Sequence, residues 1–151
     1  MKITVDTDNK TAILSVTGIT TLTYNNNLVS SSERPLVTLS YSAFKEIIND
    51  TYNFLGIIKK ILRDEPSTIR PSHGVEIQLS ATEIEMKITI GSDIIKNVWE
   101  KDTNTIKAFP RNSISWTCIE LAYFLYWTFK FINLIETPSD RYGNVWSLEN
   151  L

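Results

Sequence analysis

Alternation of apolar and polar residues predicts several short β-strands along the chain. The clearest case is the pair of segments at 75–79 and 84–90, in which every second residue is apolar. Such alternation places one face of a strand in a core and the other in water, as in antiparallel sheets. The four residues between them, 80–83, are few enough to close a hairpin.

The N-terminal region is predicted to form another hairpin. Segments 2–6 and 12–16 alternate in the same manner. Between them lies Thr7-Asp8-Asn9-Lys10, whose side chains readily hydrogen-bond to their own backbone in turns. The first part of the chain therefore indicates a sheet built from strands that are neighbours in sequence.

Two further regions are less regular. Segment 25–35 holds three Asn and three Ser and is predicted to be a polar loop. It separates a strand predicted at Ile19–Tyr24 from one predicted at Leu36–Leu39. Segment 93–109 fits either a short helix capped by Ser92 or a hairpin.

Two long segments have the period of amphipathic helices. In 42–62 apolar residues recur three and four apart, and either Ser40 or Ser42 is placed to act as the N-cap. In 114–135 the predicted core stripe is Ile114, Cys118, Leu121, Leu125, Phe129 and Ile132. The sequence thus predicts an α+β fold, an antiparallel sheet built from hairpins and covered by two main helices.

The segment 114–135 is also close to the length that spans a bilayer. Glu120 and Lys130 lie inside it, and insertion scales assign about 2.5–3.5 kcal/mol to a charged residue such as Lys at the centre of a span. We therefore interpret the segment as a core helix and expect no membrane association.

The opposite side of this helix is the predicted partner-binding face. Tyr and Trp next to one acid and one base resemble the composition of interface anchors. The residues on this face are Glu120, Tyr123, Trp127 and Lys130. A second candidate surface is the acidic strand face formed by Glu76, Glu83 and Glu85.

Length and composition indicate one soluble globular domain over residues 1–151, with a polar C-terminal tail from about 136. The single cysteine, Cys118, excludes an intramolecular disulfide, and no signal sequence is visible, so we expect a cytoplasmic protein. The net charge of -2 and the scattered Lys and Arg argue against a nucleic-acid partner.

Recognisable catalytic chemistry is sparse in the sequence. There is one histidine, His73, and it lies far from Cys118, which is predicted to be buried and inert. Zinc sites need about four Cys or His ligands, and the glycines are too widely spaced for a phosphate-binding loop. We therefore predict no catalytic residue, metal or cofactor.

These features favour a protein–protein binding module. In a chain rich in Ile and Asn, typical of an AT-rich bacterial or phage genome, one such role is an immunity protein that neutralises a toxin domain by direct binding. One alternative is a small-ligand-binding protein or enzyme with a pocket between the sheet and the aromatic helix, using Trp116, Phe124, Tyr126 and Glu120 or His73. Another is an accessory protein of a phage or mobile element.

Overall fold

The computed structural model describes residues 2–6, 11–16, 20–32, 38–63, 74–91, 93–136 and 145–147. Within these ranges the chain forms an α+β fold with antiparallel sheets, which confirms the predicted class. The elements in chain order are β1 Lys2–Asp6, β2 Thr11–Val16, β3 Thr20–Asn25, β4 Leu28–Ser31, β5 Thr38–Ser40, α1 Tyr41–Leu62, β6 Val75–Leu79, β7 Glu83–Ile90, β8 Asp93–Glu100, β9 Thr105–Ala108, β10 Arg111–Thr117, α2 Cys118–Glu136 and β11 Val145–Ser147.

The chain divides into two compact units. One comprises Met1–Lys45 with Tyr123–Leu151, and the other comprises Glu46–Ala122. The first contains a six-stranded sheet and the second a five-stranded sheet, while both helices contribute residues to each unit. The organisation as a single domain stays a prediction.

The six-stranded sheet has the order β11-β1-β2-β3-β4-β5. The predicted N-terminal hairpin is confirmed, since β1 and β2 pair antiparallel with Ile3 opposite Leu14. Leu14 in turn lies opposite Leu22 of β3. These three residues are fully buried, so the alternation marks the inward face of the sheet as predicted.

The prediction that segment 25–35 is a loop is wrong for the first half of the segment. Asn26 and Asn27 have φ values of 50° and 61° and form a two-residue turn that leads into β4. Asparagine tolerates this left-handed conformation, and a two-residue turn of this kind matches the twist of antiparallel strands. The run of asparagines is therefore a tight hairpin turn.

The tail predicted from about 136 also contains a strand. Residues 145–147 form β11, which pairs antiparallel with β1 so that Lys2 lies opposite Ser147. Three residues give too short an alternation to predict a strand from the pattern alone.

The five-stranded sheet has the order β10-β9-β8-β7-β6. The predicted hairpin of β6 and β7 is confirmed. For segment 93–109, the structure shows the hairpin, formed by β8 and β9, and not the short helix. Its turn ends at Asn104, which has a φ of 51° and accepts a 2.9 Å hydrogen bond from the indole nitrogen of Trp99.

Helix α1 agrees with the prediction. The backbone nitrogen of Ala43 donates to Ser40 Oγ at 3.2 Å, so Ser40 is the N-cap. The buried residues of the predicted face are Phe44, Ile47, Ile48, Leu55 and Ile58. Leu62 departs from the prediction because it is 51% exposed at the last residue of the helix.

Helix α2 begins four residues later than predicted. Ile114 to Thr117 belong to β10, where Trp116 lies opposite Ile106 and is fully buried. The backbone nitrogen of Glu120 donates to Thr117 Oγ1 at 3.1 Å, so Thr117 is the N-cap. The sequence Thr-x-x-Glu is a capping-box signature that marks this boundary.

The buried side of α2 is also rotated from the predicted stripe. Leu121 and Leu125 are buried as predicted, whereas Cys118, Phe129 and Ile132 are only half-buried. The buried residues of the helix are Leu121, Phe124, Leu125, Trp127, Thr128, Phe131 and Leu134. Because apolar residues occur almost all round the helix, the period alone does not select the buried side.

Among the described elements, α2 alone is long and apolar enough to cross a membrane. The core helix of a soluble protein has the same length and composition. Seven of the 19 residues of α2 are buried.

Candidate functional site

The outward side of α2 carries the main candidate site. Tyr123 is 40% exposed and Tyr126 is 50% exposed. Glu120 is also exposed, and Lys130 is half-buried. We call Tyr123, Tyr126 and Lys130 the tyrosine face. Ile119, four residues before Tyr123 on the same helix, is 82% exposed.

Trp127 is not part of this surface. It was predicted to be an exposed anchor, but its side chain is fully buried. The rotation of the buried side of α2 places its indole inward. The same rotation changes the position of Tyr126. This residue was predicted to line a pocket together with Trp116 and Phe124. Those two residues are fully buried, whereas Tyr126 is at the surface.

The two exposed tyrosines are held in place by the buried tryptophan. The ring centroids of Tyr123 and Trp127 are 6.5 Å apart with an interplanar angle of 73°. Those of Tyr126 and Trp127 are 6.4 Å apart at 88°. The Lys130 Nζ lies 5.9 Å from the centroid of the Tyr126 ring. These are edge-to-face and cation–π arrangements, which favour one orientation of each ring.

The strand face with Glu76, Glu83 and Glu85 carries both signs of charge. The antiparallel register places Glu76 opposite Lys87, and Lys96 Nζ lies 3.6 Å from Glu85 Oε1. Lys87 and Lys96 therefore lie among these glutamates, and the role of this face as a partner surface stays a prediction. A face of mixed charge generates little net potential with which to attract a basic partner.

A cluster that the sequence did not reveal joins the end of α2 to the start of α1. Lys45 Nζ and Glu136 Oε1 are 2.7 Å apart, and Lys45 Nζ lies 4.8 Å from the centroid of the Tyr41 ring. Tyr41 in turn contacts Tyr24 edge to face with centroids 5.2 Å apart. Lys45 and Glu136 are 91 residues apart in sequence, so no local pattern could pair them.

Electrostatics within this cluster fixes the charge states. The hydrogen bond from Lys45 holds the pKa of the Glu136 carboxyl below its usual range. Burial, followed by the neighbouring Glu136 carboxylate, raises the pKa of the Tyr41 hydroxyl. The carboxylate is therefore charged and the phenol neutral at neutral pH, which suits a contact that anchors a helix end.

We expect Glu136→Gln to reduce the resistance of the protein to denaturant slightly at neutral pH and not at strongly acidic pH. The lowered pKa in the folded protein stabilises the fold above the unfolded-state pKa of about 4.3. That contribution disappears as the pH falls through the folded-state pKa. The effect is small because the pair is exposed and screened. Urea titrations at both pH values measure it.

Glu46→Gln provides the control for the Glu136 experiment, since Glu46 is an exposed glutamate on α1. It removes the same charge without touching Lys45–Glu136. An equal loss of stability in both variants at neutral pH would show that the Lys45–Glu136 ion pair does not itself stabilise the fold.

The described residues offer little nucleophilic chemistry. Cys118 Sγ lies 3.6 Å from Asn104 Oδ1. Burial raises the pKa of the Cys118 thiol, against an opposing effect of Lys59, so the thiol stays protonated and unreactive at neutral pH. No group of three His, Cys, Asp or Glu side chains that could hold a metal occurs in the described part of the chain. His73 lies outside the described residues.

Comparison of the chain with protein-family models, with curated proteins and with solved structures finds no match.

Proposed function

We propose that this protein is a binding module for another protein and that it contacts its partner through the tyrosine face of α2. The observation that carries the proposal is the exposure of Tyr123 and Tyr126 while both rings rest edge to face on the buried Trp127. Ordered aromatic side chains give large contact area for little loss of conformational entropy, and tyrosine is enriched among residues that dominate binding energy.

The chemistry of the face indicates the kind of surface that it fits. Two phenol rings need an apolar depression, and their hydroxyl groups need hydrogen-bond partners at its rim. The ammonium group of Lys130 favours a carboxylate nearby. We therefore infer a partner protein with an apolar depression and at least one acidic residue on its rim.

A toxin domain is the partner class that we favour. The chain is small, holds a single cysteine and has a net charge of -2, and an inhibitor of a toxin needs only an ordered surface that occludes the toxin. On this proposal the protein acts in the cytoplasm as an immunity protein, and no cofactor takes part.

Site-specific photo-crosslinking tests which surface meets the partner. A photoreactive phenylalanine analogue replaces Tyr126 in one variant and Tyr52 in the other, and both are expressed in the source cells. Tyr52 is a matched control because it is a 58% exposed tyrosine on α1. We expect a discrete covalent adduct from position 126 and none from position 52. Equal labelling at both positions would contradict the assignment.

We expect Tyr126→Ala to weaken binding of the partner so identified by about tenfold or more, because truncating an interface anchor removes on the order of 2 kcal/mol. Tyr52→Ala should leave the affinity unchanged within about twofold. Titration calorimetry with the purified partner measures both. If the two variants bind equally well, the tyrosine face is not the binding surface.

The toxin proposal has a separate test. Expression of the identified partner alone should arrest growth of a host cell, and co-expression of this protein should restore growth. A partner that is harmless alone would contradict the immunity role and leave the binding face supported.

A further inference from the structure

The open edge of the five-stranded sheet leads to an inference beyond the proposed partner face. Strand β6 ends the sheet order and pairs, within the described residues, with β7 alone. Leu79 on this strand is 61% exposed, and Glu76 and Gln78 are exposed as well. Three of the five side chains of β6 are therefore accessible from solvent.

The described edge strands differ in how well they are protected from pairing with another chain. In the six-stranded sheet the edges β5 and β11 have three residues each. In the five-stranded sheet β10 changes register along its pairing with β9. Short strands and irregularities of this kind prevent edge-to-edge association. By contrast, β6 has five residues and pairs with β7 in one unbroken register.

The hydrogen-bond pattern shows which backbone groups of β6 face outward. Thr89 N donates to Gly74 O at 2.8 Å, and Ser80 N donates to Glu83 O at 3.0 Å. Hydrogen-bonded pairs alternate along an antiparallel ladder. The residues of β6 that bond to β7 are therefore the even-numbered ones, and the backbone groups of Val75, Ile77 and Leu79 point to the open edge.

We propose that β6 pairs antiparallel with β6 of a second copy of this chain, about a two-fold axis at Ile77. In this register Ile77 lies opposite its own copy, and Val75 lies opposite Leu79 of the other copy. All three residues present outward backbone groups, so each facing pair exchanges both hydrogen bonds. An axis at Glu76 is unfavourable because it would place the two Glu76 carboxylates opposite each other. An axis at Gln78 would place Val75 opposite Ala81 of the other copy, beyond the end of β6.

The side chains fit the same register. Glu76 lies opposite Gln78 of the other copy on the outer face, which brings a carboxylate beside an amide donor and keeps like charges apart. On the inner face the exposed Leu79 lies beside Val75 of the other copy, so apolar surface leaves water. A strand facing itself in this manner is self-complementary, as a two-fold interface requires.

Sedimentation equilibrium over a wide range of protein concentration tests the dimer. We expect a reversible monomer–dimer equilibrium with a Kd on the order of 10–100 µM, since a single strand edge is a small interface. Ile77→Pro removes an outward N–H without removing a bond to β7, and Leu79→Lys adds a charge beside Val75 of the other copy. Each should weaken the dimer at least about tenfold.

Ile94→Lys is the matched control, because Ile94 is 56% exposed on β8 of the same sheet. It should leave the association unchanged. A wild-type protein that remains monomeric at millimolar concentration would overturn the proposal. So would a dimer that Ile94→Lys disrupts while Leu79→Lys and Ile77→Pro do not.

Disulfide cross-linking tests the register directly, with Cys118 replaced by alanine in every variant. Glu76→Cys and Gln78→Cys are prepared separately. Facing residues in a non-hydrogen-bonded pair have Cα atoms about 4.5 Å apart, within disulfide range. We expect covalent dimers when the two variants are mixed and far fewer from either alone. Equal cross-linking in all three samples would contradict the two-fold axis at Ile77.

Discussion

Replacing Asn97 with leucine should lower the free energy of unfolding by about 2–4 kcal/mol. Asn97 is fully buried on β8. Its Nδ2 donates to Thr51 Oγ1 at 3.0 Å, and its Oδ1 accepts from Phe109 N at 3.2 Å. Leucine leaves the buried Phe109 N–H without this acceptor, a loss of about 1–3 kcal/mol, and a branched side chain in an amide-shaped site adds packing strain. Urea-induced unfolding measures the change.

Asn97→Asp separates hydrogen bonding from charge. The carboxylate retains an acceptor for Phe109 N, but its charge is buried beside a second acceptor, Thr51 Oγ1. Burial should raise the pKa of the introduced carboxyl, so the loss of stability should be larger at neutral pH than at about pH 4. A leucine variant as stable as the wild type would show that the polar network contributes no stability.

Thr51→Val tests whether the network acts as a unit. Thr51 Oγ1 donates to Ile47 O at 2.8 Å and accepts the bond from Asn97. Valine has nearly the same shape and leaves the Asn97 amide without this acceptor. The double variant Thr51→Val, Asn97→Leu should be less destabilised than the sum of the single variants, because neither partner is then left alone. Strict additivity would mean that the two residues act independently.

Asn97 also shows where reading the sequence by polarity fails. Alternation predicts β-strands by assigning apolar residues inward and polar residues outward, and it located β6 and β7 correctly. On β8 the same rule places Asn97 in water, and the structure places it in the core between Ile95 and Trp99. Its partners, Thr51 and Phe109, are supplied by distant segments of the chain, so no local pattern shows that its polar atoms are satisfied.

Other differences have local causes that the sequence does contain. The left-handed turn at Asn26-Asn27 and the capping box from Thr117 to Glu120 are readable motifs. They were outweighed by the polarity of segment 25–35 and by the placement of Ile114 on the core stripe of the predicted helix. Attention to turn and cap chemistry therefore corrects element boundaries that hydrophobic periodicity alone misplaces.

The candidate face was predicted in part. The segment containing α2 and the residues Glu120, Tyr123 and Lys130 were chosen from the sequence, and Tyr123 lies on the exposed side. The exposure predicted for Trp127 was wrong, because Trp127 is buried and the neighbouring Tyr126 is exposed. A helix that is apolar almost all round carries no period that distinguishes two aromatic residues only one position apart, so packing decides which of them is buried.

The position of Trp127 leads to a second prediction. Trp127→Ala should destabilise the protein by about 3–5 kcal/mol, the usual range when a buried Trp is truncated. It also removes the ring on which Tyr123 and Tyr126 rest. A loss of partner binding in this variant would therefore have two causes, partial unfolding of the protein and disorder of the tyrosine face. Thermal unfolding measured by circular dichroism should show a fall in Tm larger than that of Tyr126→Ala.

Trp127→Phe tests how much the indole N–H contributes to stability, apart from the aromatic ring. The buried Nε1 of Trp127 has no hydrogen-bond acceptor, whereas Nε1 of the equally buried Trp116 donates to Ala108 O at 3.4 Å. Both Trp→Phe changes remove a similar volume, but only Trp116→Phe removes a hydrogen bond. Trp127→Phe should therefore be less destabilising than Trp116→Phe, by about 1 kcal/mol. The opposite order would mean that the indole N–H of Trp127 is satisfied in solution. The phenylalanine ring should still support Tyr126, so partner affinity should stay within a few-fold of the wild type.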